Sequence, residues 1–279
     1  MDGISPAPAT RRVVTRDGVE LHCTDRGDGP PVVFLASWSL PGASWASQVD
    51  ALCAAGLRCL TYDRRGHGRS PDPGWGYDFD TLADDLAAVL DAHDLDGVTL
   101  VTFSAGSGEA VRYLTRHGRA RVARSAMIGP TTPLLARRPD NPGGVDPAVF
   151  DAFVEGELRP DWPGWLARNA RPFGGPDVPQ AALDRVISLA LQASPHALEA
   201  FYRELTTADF RDELPRLDLP VLVIQGEHDA TSPLGLTGRP TAALVPGARL
   251  VVYEGAPHGL LVSHPARLNA DLLAFVRAG

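Results

Sequence analysis

The sequence predicts an α/β fold with a mostly parallel, doubly wound sheet and a helical cap insertion. Short apolar, β-branched runs alternate with longer amphipathic stretches, a pattern typical of βαβ units. This alternation stops at Pro130 and resumes at Pro220, and the stretch between them is rich in Pro, Gly and Trp. We therefore expect a core domain of residues 11–130 and 220–279, a helical cap of residues 131–219 and a flexible N-terminus of residues 1–10.

Each predicted element has a local signal. Asp17-Gly18, between two β-branched runs, indicates a hairpin turn. An almost wholly apolar run is typical of a strand buried on both faces, and apolar residues at helical spacing indicate an amphipathic helix. The predicted strands are Val13–Thr15, Val19–Thr24, Val32–Ala36, Arg58–Tyr62, Val98–Phe103, Ala123–Ile128, Val221–Gln225 and Arg249–Tyr253. The predicted helices are Trp45–Ala55, Asp80–His93, Gly108–His117, Pro147–Glu157, Gln180–Gln192, Pro195–Thr207, Gly238–Val245 and Pro265–Arg277.

Composition and charge exclude several kinds of partner. The 279-residue chain has a net charge of −8 and scattered basic residues, so we expect no nucleic-acid partner. Three cysteines without C-x-x-C spacing argue against a disulfide framework or a metal site and favour a cytoplasmic protein. No apolar run approaches the roughly 18 residues of a membrane span, and the N-terminus does not look like a signal peptide. The oligomeric state is left open, with a homodimer as one alternative.

Ser104 has the local sequence of a catalytic nucleophile. It follows the predicted strand Val98–Phe103 directly and precedes a predicted helix, with Thr102 and Gly106 two residues away on either side. A nucleophile on a sharp strand-to-helix turn needs small neighbours there, because strand and helix nearly touch. Thr102 departs modestly from the usual G-x-S-x-G pattern.

Two other interpretations of Ser104 stay open. Serine is a common helix N-cap, so Ser104 could serve only that purpose. Gly106 and Gly108 after a strand could also belong to a dinucleotide-binding loop. That loop would need a third small residue where Val111 stands, and an acidic residue at the end of the next strand, which is lacking.

The acid and the base of a triad should follow the nucleophile in that order, each after a strand. Asp229 lies in the polar turn after Val221–Gln225, with Glu227 as the rival acid. His258 lies in a tight loop of small residues between the last strand and the last helix, where an imidazole can lean over the sheet edge. The other histidines weighed as bases, all with helix-end or turn positions, are His93, His117, His228 and His264.

These segments together resemble the α/β-hydrolase superfamily, and within it the cofactor-free group of non-haem chloroperoxidases, arylesterases and perhydrolases. The likeness rests on the nucleophile turn, on Tyr62-Asp-Arg-Arg-Gly-His-Gly-Arg-Ser70 and on Gly255-Ala-Pro-His-Gly-Leu, and more weakly on Asp140-Asn-Pro-Gly-Gly and Thr207-Ala-Asp-Phe210. It implies the α/β-hydrolase fold, Ser104 as nucleophile, Asp229 as acid, His258 as base and no cofactor. Asp63 and Arg64 would be structural loop residues.

The resemblance also implies an oxyanion hole, and here the chain departs from the family. By position, the amides of Trp38 and Ala105 would hold the oxyanion, but Ala36-Ser37 replaces the family's His-Gly, and Ala105 replaces a frequent Met. The hydroxyl of Ser37 or Ser39 could add a donor, or Ser37 could simply bond a loop backbone group. An X-Ser pair is similar to the loop of enol-lactonases in the same superfamily.

We therefore expect a serine esterase or lactonase acting on a small-molecule ester or lactone through an acyl-enzyme, with perhydrolysis as a side reaction. An enol-lactonase or a natural-product hydrolase or cyclase is the alternative. A cofactor-free oxygenase or a non-catalytic ligand-binding protein is more distant, and a haloalkane or epoxide mechanism would need an Asp in place of Ser104. The candidate substrate contacts are Ser37, Trp38, Phe103, Trp162 and Trp165.

Overall fold

An eight-stranded sheet runs through the computed structural model, which describes residues 9–278. Its strands are β1 (Ala9–Val14), β2 (Glu20–Arg26), β3 (Pro31–Leu35), β4 (Arg58–Tyr62), β5 (Val98–Phe103), β6 (Val122–Ile128), β7 (Val221–Gly226) and β8 (Arg249–Tyr253). They lie in the order β1-β2-β4-β3-β5-β6-β7-β8. The first two strands pair antiparallel, as do β2 and β4, and all later pairs are parallel. The carboxyl ends of β3, β5, β7 and β8 therefore share one edge.

Helices cover both faces of the sheet. They are α1 (Ala46–Ala54), α2 (Phe79–Ala92), α3 (Gly106–Arg116), α4 (Pro147–Phe153), α5 (Arg159–Gly174), α6 (Gln180–Ala190), α7 (Pro195–Thr207), α8 (Gly238–Leu244), α9 (Leu260–Ser263) and α10 (Pro265–Arg277). The apolar sides of α2 and α3 pack in one cluster, and those of α1 and α10 pack in a second cluster on the other face. Both clusters also contain side chains of the cap. None of the described helices has both the length and the apolarity needed to cross a bilayer.

The main difference between the helical insertion and its prediction is one additional helix. Helix α5 is absent from the predicted set, because its sequence contains Pro163 and Pro172, which disfavour a helix interior. The structure accommodates Pro163 through a kink at Asp161, whose φ and ψ are −152° and 61°, so that the proline opens a new helical segment. A short π-helical turn, Val154–Leu158, joins α4 to this kinked helix.

Most element boundaries differ from the predicted ones by a few residues, and two of these differences affect the site or the predicted N-terminus. Helix α3 begins at Gly106 rather than Gly108, two residues after the proposed nucleophile. Strand β1 begins at Ala9, so Ala9 and Thr10, expected in a flexible N-terminus, pair with Asp25 and Thr24 of β2. The rest of that N-terminal segment, residues 1–8, lies outside the described residues.

Candidate active site

The backbone of Ser104 is strained. Its φ is +54°, in the left-handed region that costs a non-glycine residue of order 1 kcal/mol or more. The turn is held because the Ser104 N–H donates to the carbonyl of Ile128 on β6 (2.9 Å), while the Ser104 carbonyl accepts from the N–H of Ser107 (3.0 Å). The side chain is thereby set on a sharp bend between β5 and α3. Such strain is characteristic of functional sites.

The helix after this turn lies against β3 without room for a side chain. A Cβ atom at Gly106 would lie 2.8 Å from the carbonyl oxygen of Leu35 and 3.0 Å from that of Ala36. One at Gly108 would lie 2.7 Å from ring atoms of Phe79. These contacts explain why two glycines follow the serine. Thr102, the departure on the other side, fits as a fully buried residue of β5.

Asp229 and His258 form a buried pair. The Nδ1–H of His258 donates to Oδ2 of Asp229 at 2.7 Å, and both side chains are at most 3% exposed. The other carboxylate oxygen, Oδ1, accepts the backbone N–H groups of Thr231 (3.0 Å) and Ser232 (2.7 Å). Because a carboxylate only accepts, the imidazole carries a proton on Nδ1, and in the neutral ring Nε2 is then the acceptor.

The imidazole of His258 lies beside the serine turn. Its ring packs 4.8 Å from the ring of Phe103, the residue before Ser104, and 5.8 Å from the ring of Phe173. A Cβ at Gly129 would lie 3.1 Å from its Cε1 atom, so the position needs a glycine. Gly129 was not predicted as a site residue, although its place directly after the predicted strand Ala123–Ile128 was a signal for it.

The Nε2 atom of His258 is buried and has no hydrogen-bond partner among residues 9–278. The Ser104 hydroxyl is therefore not hydrogen-bonded to it in this structure. Catalytic hydrogen bonds are often long or misaligned without substrate and tighten when substrate binds. The arrangement leaves an acceptor nitrogen free near the serine turn.

The rival residues take no part in the buried His258–Asp229 pair. Glu227 and His228 are exposed, and Glu227 accepts the N–H of Gly255 at 3.0 Å. The remaining rivals each contact another polar side chain: His93 with Asp25, His117 with Asp84 and His264 with Ser263.

The backbone N–H groups of Trp38 and Ala105 are the predicted oxyanion donors. Among the described residues, neither the amide of Trp38 nor that of Ala105 donates a hydrogen bond. Ala105 follows Ser104 at the N-terminus of α3, where free N–H groups and the helix dipole favour negative charge. The Ser37 hydroxyl forms no hydrogen bond with the described chain either, so it is not tied to a loop backbone group.

Aromatic rings from the cap cover the Trp38 loop. The ring of Trp38 lies 5.1 to 6.0 Å from the rings of Phe153, Trp162 and Tyr202, and its indole N–H donates to the carbonyl of Leu198 at 2.8 Å. Trp165 stacks on Trp162 at 5.2 Å.

The predicted substrate contacts are therefore not equivalent. Phe103 is fully buried between Trp45 and Phe173. Trp162 and Trp165 belong to the aromatic cluster of the cap, and Trp38 contacts that cluster from the loop after β3. An open groove of about 600 Å³, lined by Trp75, Phe150, Tyr202 and neighbours, contains none of the three proposed catalytic residues. The proposed catalytic residues therefore lie outside this groove.

Comparison with known proteins decides the family. Residues 30–265 match the family model of the alpha/beta hydrolase fold. The chain belongs to the α/β-hydrolase fold family. This confirms the fold class and the superfamily resemblance that the sequence predicted.

Individual relatives show which members of this family the chain is similar to. A non-heme chloroperoxidase, CPO-A1, from Kitasatospora aureofaciens is 39% identical over 94% of this chain and 98% of its own. A bifunctional esterase/perhydrolase from Acinetobacter calcoaceticus is 33% identical over 95% and 99%. The solved structure of an esterase from Exiguobacterium antarcticum superposes with a TM-score of 0.93 at 28% identity, covering 97% and 100% of the two chains. These comparisons confirm the suspected group and support an ester hydrolase.

Proposed function

We propose that this α/β-hydrolase is a serine hydrolase that cleaves a carboxylic ester or lactone through Ser104, His258 and Asp229. The observation that carries the proposal is the buried His258–Asp229 pair, which fixes the tautomer and leaves Nε2 free beside the strained Ser104 turn. A serine hydroxyl is a weak nucleophile until such a base accepts its proton.

The reaction follows from these positions. Nε2 of His258 takes the hydroxyl proton as Oγ of Ser104 attacks the acyl carbon, and Asp229 stabilises the resulting imidazolium. The amides of Trp38 and Ala105 donate to the oxyanion, for which one such donor is worth roughly 3 to 4 kcal/mol of barrier. The tetrahedral adduct then expels the alcohol or enol oxygen, which takes the proton from His258. Water repeats the sequence on the acyl-enzyme and restores the free hydroxyl.

Hydrogen peroxide in place of water in the second half-reaction would give a peracid. The esterase/perhydrolase relative supports this as a side reaction. The surroundings of Trp38 are aromatic, and they suit an uncharged, apolar acyl or leaving group.

A lactone or enol-lactone is the second candidate substrate, favoured by Ala36-Ser37 at the family's His-Gly position. Steady-state rates on matched aryl acetates, γ-lactones and enol-lactones separate the two. A preference for open-chain esters, measured as kcat/KM, would remove the lactone candidate.

Labelling with a fluorophosphonate probe tests the nucleophile. Wild-type protein should be labelled and should hydrolyse p-nitrophenyl acetate, and Ser104→Ala should do neither. Ser125→Ala is the matched control, because Ser125 is a fully buried serine on the neighbouring strand β6 and its hydroxyl has no hydrogen-bond partner in the described chain. Undiminished labelling of Ser104→Ala would refute the proposal.

A further inference from the structure

Three consecutive carbonyl groups of the loop after β3 contact side chains from the loop after β4. Nη2 of Arg64 donates to the carbonyl of Ala36 at 3.0 Å, and Nη1 of Arg64 donates to that of Ser37 at 3.2 Å. Nε2 of His67 lies 2.7 Å from the carbonyl oxygen of Trp38. Two side chains thus bond the carbonyl groups of residues 36–38. We call these residues the oxyanion loop, because the Trp38 amide is one of the two proposed oxyanion donors.

Arg64 is itself fixed in place. Its Nε and Nη2 both donate to Oε2 of Glu109, at 3.1 and 2.8 Å, and its guanidinium lies 4.7 Å from the centre of the Phe201 ring. The hydroxyl of Tyr62 donates to the other carboxylate oxygen. Both charged side chains are at most 3% exposed. Burial lowers the pKa of Arg64 and raises that of Glu109, whereas the hydrogen bonds between the two groups favour their charged forms.

The contact with Ser37 matters because of peptide geometry. The carbonyl of Ser37 and the N–H of Trp38 belong to one planar trans peptide unit, in which they point in opposite directions. A guanidinium on the carbonyl therefore turns the N–H away from Arg64, and a charge-assisted hydrogen bond also polarises the unit and strengthens the N–H as a donor. That N–H has no acceptor in the described chain.

We propose that Arg64, anchored by Glu109, is a positioning residue that orients and polarises the Ser37–Trp38 peptide for oxyanion stabilisation. The inference rests on the proposed function, since it assigns a support to the oxyanion hole of the same reaction. Arg64 does not touch the reacting atoms; it acts through the backbone of the loop. Through Arg64, the loop after β4 thus also supports the proposed oxyanion hole.

The kinetic test replaces the buried pair together. Removing Arg64 alone would leave the buried Glu109 without its cationic partner, with only the Tyr62 hydroxyl donating to it. Replacing both members of a buried ion pair with apolar residues is often tolerated. Arg64→Met/Glu109→Leu should lower kcat for p-nitrophenyl acetate by about 10- to 100-fold, less than the loss of a whole oxyanion donor, with KM within about threefold. Arg64→Lys is the second variant: it keeps a charge but loses the planar fork, and it should also lower kcat.

Arg65→Lys is the matched control. Arg65 is the next residue, also fully buried, and is paired with Asp85 and Asp17 instead of with the oxyanion loop. It should lose thermal stability while kcat stays within about threefold of wild type. A loss of kcat that merely followed stability would appear in this control as well.

A spectroscopic readout separates positioning from general damage. Serine labelled with ¹³C at the carbonyl and tryptophan labelled with ¹⁵N give signals at two peptide units only, Ser37–Trp38 and Ser44–Trp45. The Trp38 signal should shift in both Arg64 variants, because the hydrogen bond to the Ser37 carbonyl is lost or weakened, and the Trp45 signal should stay.

The outcomes are distinguishable. A kcat within about threefold of wild type in the folded double variant, or a fall in kcat with an unmoved Trp38 signal, would overturn the role of Arg64. Full activity of Ser104→Ala would instead overturn the proposed function.

Discussion

The hydrogen bonds around Asp229 make Asp229→Asn an informative substitution. Oδ1 accepts two backbone N–H groups, from Thr231 and Ser232, so the amide oxygen of the variant should be held at that position. The NH2 group would then replace Oδ2, 2.7 Å from Nδ1 of His258. Two donors cannot bond each other, so the imidazole should adopt the tautomer with its proton on Nε2.

That tautomer cannot accept the proton of the Ser104 hydroxyl. The equivalent change in a serine protease lowers kcat about 10⁴-fold, which corresponds to roughly 5 kcal/mol of barrier. We expect a fall of about 10³- to 10⁴-fold in kcat for p-nitrophenyl acetate, with KM changed little, because Asp229 lies behind the imidazole. Steady-state kinetics measure the loss, and ¹⁵N spectra of labelled histidine report the tautomer of His258.

Glu227→Gln is the control for this substitution. Glu227 is the exposed acid on the same turn, and its carboxylate bonds only the Gly255 N–H among the described residues. Its kcat should stay within about twofold of wild type, as expected for a surface change. Asp229 is not the acid of the triad if folded Asp229→Asn keeps more than about a tenth of wild-type kcat, or if Glu227→Gln is the variant that loses activity.

Two further predictions follow from close packing and from burial. Gly106→Ala should lower the free energy of unfolding by about 1 to 3 kcal/mol in urea titrations and reduce kcat, because its Cβ would press on the Leu35 and Ala36 carbonyls. Gly143→Ala is the control: a Cβ at Gly143 would have no atom within 4 Å, so neither the stability nor kcat should change. Burial lowers the pKa of His67 from 6.5 to about 4 in the folded protein. Between these two pH values the unfolded chain binds more protons than the folded chain, so the free energy of unfolding falls as the solution is acidified, by roughly 3 kcal/mol in all. In unfolding titrations at a series of pH values, His67→Gln should lose less stability on acidification than wild type, whereas the exposed control His228→Gln should lose as much as wild type. An equal pH dependence of His67→Gln and wild type would contradict the assignment.

Much of the fold follows from local patterns. Strand β5 and helix α2 were predicted because burial on both faces requires an apolar run and burial on one face requires an apolar stripe. Helix α5 was missed because Pro163 and Pro172 forbid a helix by local rules, and only the kink at Asp161 and packing against the core permit it. Local propensity fails where tertiary contacts outweigh it.

The proposed chemical groups follow from sequence for a related reason. Ser104, Asp229 and His258 each come after a strand, and small residues adjoin Ser104 and His258, so their meeting at one sheet edge can be predicted from topology. Gly129 was not identified, because a side chain at this position would be too close to the imidazole of His258, which lies 129 positions later in the chain. Contacts of this kind are properties of the folded chain alone.

The supports of the site are the least predictable part. Arg64 and Arg65 are adjacent and chemically identical, and nothing local distinguishes them. In the structure, one guanidinium bonds the carbonyls of Ala36 and Ser37, 28 and 27 positions earlier, while the other bonds Asp85, 20 positions later. Successive side chains on an irregular loop can point in different directions, so the loop path after β4 decides which arginine reaches the oxyanion loop. Exchanging the two roles would require a different loop conformation, which is why Arg64→Lys and Arg65→Lys should have unlike effects on kcat.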